Sequence, residues 1–163
     1  MNRPIIAITI GDVAGIGPEV VARALQDPAI LHVCRPFVIG DHRVLQHASK
    51  DLLRTSALNF EKISDVPQDR ASLAQQCDNL AQRRSVVCHN PAGEVVSLAE
   101  HRCVNSAAGD AAFRYLNAAI DLAGAGVVDA IATAPLNKAA LHAAGHHYPG
   151  HTEILAERCG VTD

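Results

Sequence analysis

Aromatic side chains are scarce among these 163 residues: three Phe, two Tyr and no Trp. A core without large rings has to be filled by Ala, Val, Leu and Ile at close range, which favours helices laid on a parallel sheet. Neither sign of charge dominates. Lys and Arg number 14 against 17 Asp and Glu, a formal net charge of -3, so the chain has no field that would draw in nucleic acid or an anionic membrane surface. Long apolar runs are also missing. Each is interrupted within about 10 residues, against the roughly 20 that a membrane helix needs, and no basic stretch leads into a cleavable apolar segment at the start. These absences point to a cytoplasmic protein. The five cysteines, at 34, 77, 88, 103 and 159, contain no C-x-x-C pair. No zinc cluster is indicated, and most of these thiols are expected to be reduced and buried as small hydrophobes.

The chain is long enough for one sizeable core, and 48% of it is hydrophobic. Residues 4–10 form an Ile-rich run suited to a buried strand. It ends in Gly11-Asp-Val-Ala-Gly-Ile-Gly17, after which Pro18 and Glu19 fit a first helical turn. A second strand is expected over residues 34–40, with Asp41 capping a helix from Val44 to about Leu53. Residues 55–82 have weak periodicity and read as peripheral, with no element assigned. Residues 85–89 suit a short strand closed by the turn Asn90-Pro-Ala-Gly93. Residues 105–123 repeat apolar positions every three or four residues, at Ala108, Ala112, Tyr115, Leu116, Ala119 and Leu122, which predicts a long amphipathic helix. A further buried strand is expected over residues 127–133 and a helix over 137–144, stopped by Gly145. This alternation defines a doubly wound α/β fold.

Two polar loops carry most of the chemical information: Ile131-Ala-Thr-Ala-Pro-Leu-Asn-Lys138 and Tyr148-Pro-Gly-His-Thr-Glu153. Placed at strand ends they would converge where open α/β sheets bind small molecules, because backbone donors and helix N-termini point there. In the second loop Thr152 suits an N-cap, Glu153 suits the first turn, and Gly150 allows close approach of a ligand, with His151 at the mouth of the site. Lys138 stands at a helix start, where the dipole disfavours a cation; it reads either as a ligand contact or as a solvated lysine. The glycines of residues 11–17 are spaced four and two, unlike a dinucleotide fingerprint. That loop reads equally as a ligand cradle or a tight turn, with Asp12 either facing a cleft or favouring the helix start. His142 and His146 have zinc-binding spacing on one helix, yet no Glu follows the first; with His147 they read as exposed helix-end histidines.

Four blocks, Gly11-Asp-Val-Ala-Gly-Ile-Gly-Pro-Glu19, Ala108-Gly-Asp-Ala-Ala112, Ala130-Ile-Ala-Thr-Ala-Pro-Leu-Asn-Lys138 and Tyr148-Pro-Gly-His-Thr-Glu153, resemble the signatures of the 4-hydroxythreonine-4-phosphate dehydrogenase family. Their wording is nearest the branch acting on D-threonate or D-erythronate 4-phosphate. The resemblance implies a fold like that of isocitrate and isopropylmalate dehydrogenases, a three-layer αβα arrangement on a parallel-rich sheet, incomplete in this chain. It also implies a homodimer that oxidises the secondary alcohol of a 4-phosphorylated hydroxy acid with NAD, followed by decarboxylation. His151 and Thr152 match the family's substrate-contacting His-Thr pair. Lys138 and Asp12 are weaker candidates for the same cleft. The family's divalent cation, Zn, Mg or Co, is held by three histidines further along than residue 163, so no metal ligand is expected here. On this reading residues 1–163 are the N-terminal part of a two-domain dehydrogenase, with the second domain beginning within 135–163. Val13 stands where the family usually has Pro, which removes one φ restraint from the loop. The other reading kept open is a non-catalytic module binding phosphorylated sugar acids.

Overall fold

The structure is a computed structural model that describes residues 3–52, 58–94 and 103–161. Five parallel strands form one sheet in the order β3-β4-β2-β1-β5: β1 (Ile5–Thr9), β2 (Arg35–Ile39), β3 (Asn59–Ile63), β4 (Ser85–His89) and β5 (Ala130–Thr133). The helices are α1 (Gly17–Ala24), α2 (Pro28–Val33), α3 (His42–His47), α4 (Arg70–Ala81), α5 (Ser106–Gly124), α6 (Lys138–Ala143) and α7 (His151–Cys159). A π-turn over Ala48–Leu52 continues α3. The chain winds outward from β1 through β2 to β3, then returns through β4 to β5 on the far side of β1. Right-handed crossovers therefore place α1 and α3 on one face and α4 and α5 on the other.

Burial explains which strands are central. In β2, Pro36, Phe37, Val38 and Ile39 are all buried, as expected of a parallel strand covered on both faces. Proline is tolerated there because pairing with β4 begins only at Phe37. α5 is buried on two sides. It packs on β1, β2 and β5 and also on α6 and α7, and its run of alanines with Gly109 permits that close approach. A second, smaller core forms there from Leu116, Ile120, Leu141 and Ile154.

Several sequence expectations need correction. Residues 127–133 do not form one buried strand. Val127 and Val128 are buried ahead of it, whereas β5 is a four-residue outer strand whose Ala130, Ala132 and Thr133 are exposed. The weakly periodic region holds β3 and α4, and α2, where no element is expected from the sequence, buries none of its residues although Asp27 caps it and Pro28 opens it. The expected end of the third helix, at Leu53, lies outside the described residues. Cys77 and Cys88 are buried, Cys34 is partly so, and Cys103 and Cys159 are exposed, so most of the thiols are not core residues.

Candidate functional site

At the carboxyl ends of β1 and β5 three loops meet. The first follows β1. Gly11 adopts φ +66, and a Cβ there would sit 2.2 Å from the Pro135 carbonyl oxygen, so only glycine lets the first loop press against the second. Asp12 completes the seam: its backbone N–H donates to the Pro135 carbonyl at 3.1 Å. Gly17 is equally constrained, since a Cβ would lie 2.1 Å from the Ile10 carbonyl oxygen. The glycines at 11 and 17 therefore serve the packing of the chain on itself.

Asp12 is 3% exposed and its Oδ1 accepts from Ala14 N at 2.9 Å. Burial raises its carboxyl above the ordinary range, opposed by that backbone bond and by the Asn137 side chain, which faces it. Asp12 thus points inward to the neighbouring loop rather than into an open cleft. Asn137 also caps α6, its Oδ1 accepting from Ala139 N at 3.0 Å and Ala140 N at 3.3 Å. Beside it Lys138, the first residue of α6, is exposed.

The third loop brings His151. Its half-buried imidazole reaches the Ala134 backbone; burial lowers its pKa below the ordinary histidine value, and the Ala134 contact opposes the shift. Thr152 is not an N-cap. Gly150 takes that position in an extended conformation, with no side-chain cap, and Thr152 is an exposed residue within α7. The helix starts two residues early because extended Gly150 delivers His151 straight into the first turn. α1 likewise has no side-chain cap, so two helix N-termini at this edge keep backbone N–H groups available for an anionic or hydroxylated group.

The histidine pair four residues apart is split. α6 ends at Ala143, so His146 lies outside it. His146 Nε2 is 2.9 Å from Asp110 Oδ1 and its ring stacks on Phe113 with centroids 3.8 Å apart. His142 Nε2 instead lies 3.1 Å from the Tyr148 carbonyl oxygen. Both histidines brace the turn that leads to His151, and His146 is half-buried rather than exposed. Among the described residues no three His, Cys, Asp or Glu side chains are grouped to hold a metal ion. Further along the same sheet edge, burial pushes the Asp41 carboxyl up, but Arg43, bonded at 2.6 Å, outweighs it and holds the group below its ordinary value. Burial lowers His89 at the end of β4.

Sequence reasoning missed Asn137 as a site residue, although an Asn immediately before a helix is a recognisable cap. It had no means of finding the Ala134 carbonyl. Asp12, Asn137 and His151 are brought together through residues 134–137, whereas Lys138 and Thr152 flank them as exposed side chains.

A doubly wound αβα protein with donors and an imidazole gathered at the carboxyl edge of its sheet belongs to the class that binds small molecules there. The family model described as "Pyridoxal phosphate biosynthetic protein PdxA" matches residues 32–163, and the chain belongs to that family. It is 43% identical over 161 residues to a 4-hydroxythreonine-4-phosphate dehydrogenase of Trichlorobacter lovleyi, covering 96% of this chain and 44% of the relative. It is 40% identical over 160 residues to a D-threonate 4-phosphate dehydrogenase of Cupriavidus necator, covering 98% and 44%. A crystal structure of a 4-hydroxythreonine-4-phosphate dehydrogenase from Burkholderia phymatum superposes with a TM-score of 0.84 at 38% identity, covering 100% of this chain and 46% of that one. The chain spans a little under half the length of these relatives.

Proposed function

We propose that this segment supplies part of the substrate site of an oxidoreductase that oxidises the secondary alcohol of a 4-phosphorylated hydroxy acid: D-threonate or D-erythronate 4-phosphate, or 4-hydroxythreonine 4-phosphate. In this reading the active protein is a cytoplasmic homodimer that uses NAD and a divalent metal, with the metal ligands and the cofactor site supplied by sequence outside these residues. Such a metal polarises an alcohol oxygen and stabilises the charge that develops on it. The residues described here would bind and orient. His151 and Thr152 contact the substrate, the open N–H groups of α7 receive an anionic or hydroxylated group, and Lys138 contributes positive charge at the rim.

The observation that carries this reading is the position of His151, half-buried at the seam of three loops beside an uncapped helix start. Relatives named for two phosphorylated hydroxy acids supply the substrate class. Calorimetric titration of D-threonate 4-phosphate, with NADH formation followed in parallel, tests it in a form of the protein as long as its relatives. Losing a hydrogen bond to a charged ligand costs about 1.5–3 kcal/mol, so His151→Ala should weaken binding by about ten- to a hundredfold. Unchanged affinity in that variant would refute the assignment. Tight binding without NADH formation would favour the non-catalytic module instead.

A further inference from the structure

We propose that Asp110 and His146 are positioning residues: together they hold the turn at residues 146–150 on the course that brings His151 to the seam of the three loops. This rests on the reading of His151 as a substrate contact, and it gives a role to the Ala108-Gly-Asp-Ala-Ala112 block, which the site described above leaves unused.

α5 is the fixed partner in the arrangement. At Gly109 it lies so close to α6 that a Cβ would stand 2.1 Å from the Ala140 carbonyl oxygen, and the next residue, Asp110, is thereby set against the turn that follows α6. Its two oxygens have separate partners: Oδ2 accepts from Arg114 Nε at 2.7 Å, one helical turn along, and Oδ1 lies 2.9 Å from His146 Nε2. An ionised carboxylate can only accept, so His146 donates through Nε2 whether its ring is neutral or charged. The same ring stacks on Phe113, with centroids 3.8 Å and planes 18° apart. His146 is held at its edge and on its face by residues of one helix.

The stretch after His146 has no backbone support of its own. The His146 N–H still donates to the Leu141 carbonyl at 3.1 Å, but among the described residues no backbone N–H from His147 to Gly150 donates to another backbone group, and Pro149 has none to give. Side chains take over. His142 Nε2 donates to the Tyr148 carbonyl at 3.1 Å, the Tyr148 ring stacks on Phe113 at 5.8 Å, and its hydroxyl donates to Glu157 Oε1 at 3.1 Å. His151 follows three residues later, with no side-chain cap to steer it. Ile154 anchors the body of α7 in the second core, so the course of the turn decides where the first residue of that helix points. Releasing His146 removes one of the two ring anchors on Phe113 and lets His151 swing from the seam while α7 stays docked.

Histidine ring NMR and calorimetric titration of D-threonate 4-phosphate, both on a form of the protein as long as its relatives, test the proposal. His146→Phe keeps a ring on Phe113 and removes the donor; Asp110→Asn keeps the shape and removes the charge. Val44→Ala thins the core on the opposite face of the sheet and serves as a control that lowers Tm without touching the turn. Without ligand, the His151 signals should move in both positioning variants and stay in place in the control. Each positioning variant should bind about five- to tenfold more weakly, the scale of one hydrogen bond. In a His151→Ala background the further loss should be under about twofold, because residues that act through His151 cannot add to its removal. Unmoved His151 signals in either folded variant would overturn the proposal, as would a loss of affinity that adds in full to that of His151→Ala, or an unchanged affinity where His151→Ala weakens binding. A pair that served stability alone would behave as Val44→Ala does. If His151→Ala itself leaves affinity intact, the substrate reading fails, and the unliganded signals alone decide whether the pair places His151.

Discussion

Gly109→Ala is the substitution whose outcome the packing of α5 on α6 fixes most firmly. A Cβ at 109 would stand 2.1 Å from the Ala140 carbonyl oxygen, 2.3 Å from its carbon and 2.7 Å from Leu141 N. All three are backbone atoms, so no side chain can swing aside and α6 itself must retreat by roughly 1 Å. Overpacking of this kind costs about 1–3 kcal/mol, while alanine's better helix propensity returns about 1 kcal/mol. The net expectation is a loss of up to about 2 kcal/mol, which lowers Tm by up to about 8 °C for a chain of this size. Gly124, at the far end of the same helix, has nothing within 4 Å of its Cβ position; Gly124→Ala should be neutral or stabilise by about 0.5 kcal/mol. Thermal and urea unfolding of both variants decides the matter. If Gly109→Ala proved as stable as Gly124→Ala, the two helices would not approach as closely as described, and the placement of Asn137 and Lys138 at the head of α6 would fall with it.

Three further outcomes are expected. Burial lowers the pKa of both His89 and His151, so the unfolded chain binds more protons than the folded one just below the ordinary histidine value of 6.5. The stability these neutral rings provide is present above that pH and is lost as pH falls toward their lowered values; urea midpoints should drop from pH 7 to pH 5.5, less steeply in His151→Ala. Native thiol titration should modify exposed Cys159 quickly, while Cys77, its thiol pushed up to about 12 by burial, and fully buried Cys88 react only on unfolding. Among the described residues β5 has no partner on its outer side, and an open cleft of about 600 Å³ lined by Ile120, Ala123, Ile131 and Arg158 lies nearby. The isolated chain should therefore self-associate with rising concentration in sedimentation, and a compact monomer at all concentrations would contradict this.

What the sequence disclosed follows from where burial is written into it. β1, β2 and β4 stood out because both faces of a central parallel strand are apolar. α5 stood out because its buried stripe repeats at three and four residues. α4 stayed hidden because only Leu73 and Cys77 of its twelve residues are buried, and β3 because Phe60 alone of its five is buried. Such patterns are too thin for periodicity to register. β5 misled in the opposite sense: its apolar residues resemble those of a central strand, yet their exposure depends on what lies beside the strand, which local sequence does not encode. At the candidate site the His151 turn was legible through its glycine and its neighbours. The inward orientation of Asp12 was not, because its partner is an amide on a loop after a different strand.

The account turns on His151 meeting a ligand at the seam of the three loops. Its ring-nitrogen signals, followed during addition of D-threonate 4-phosphate to a form of the protein as long as its relatives, test this most directly, with His32 on α2 at the opposite end of the strands as an internal reference. The expected result is a saturable shift at His151 and none at His32. A ligand that binds to saturation while the His151 signals stay in place would contradict the central claim.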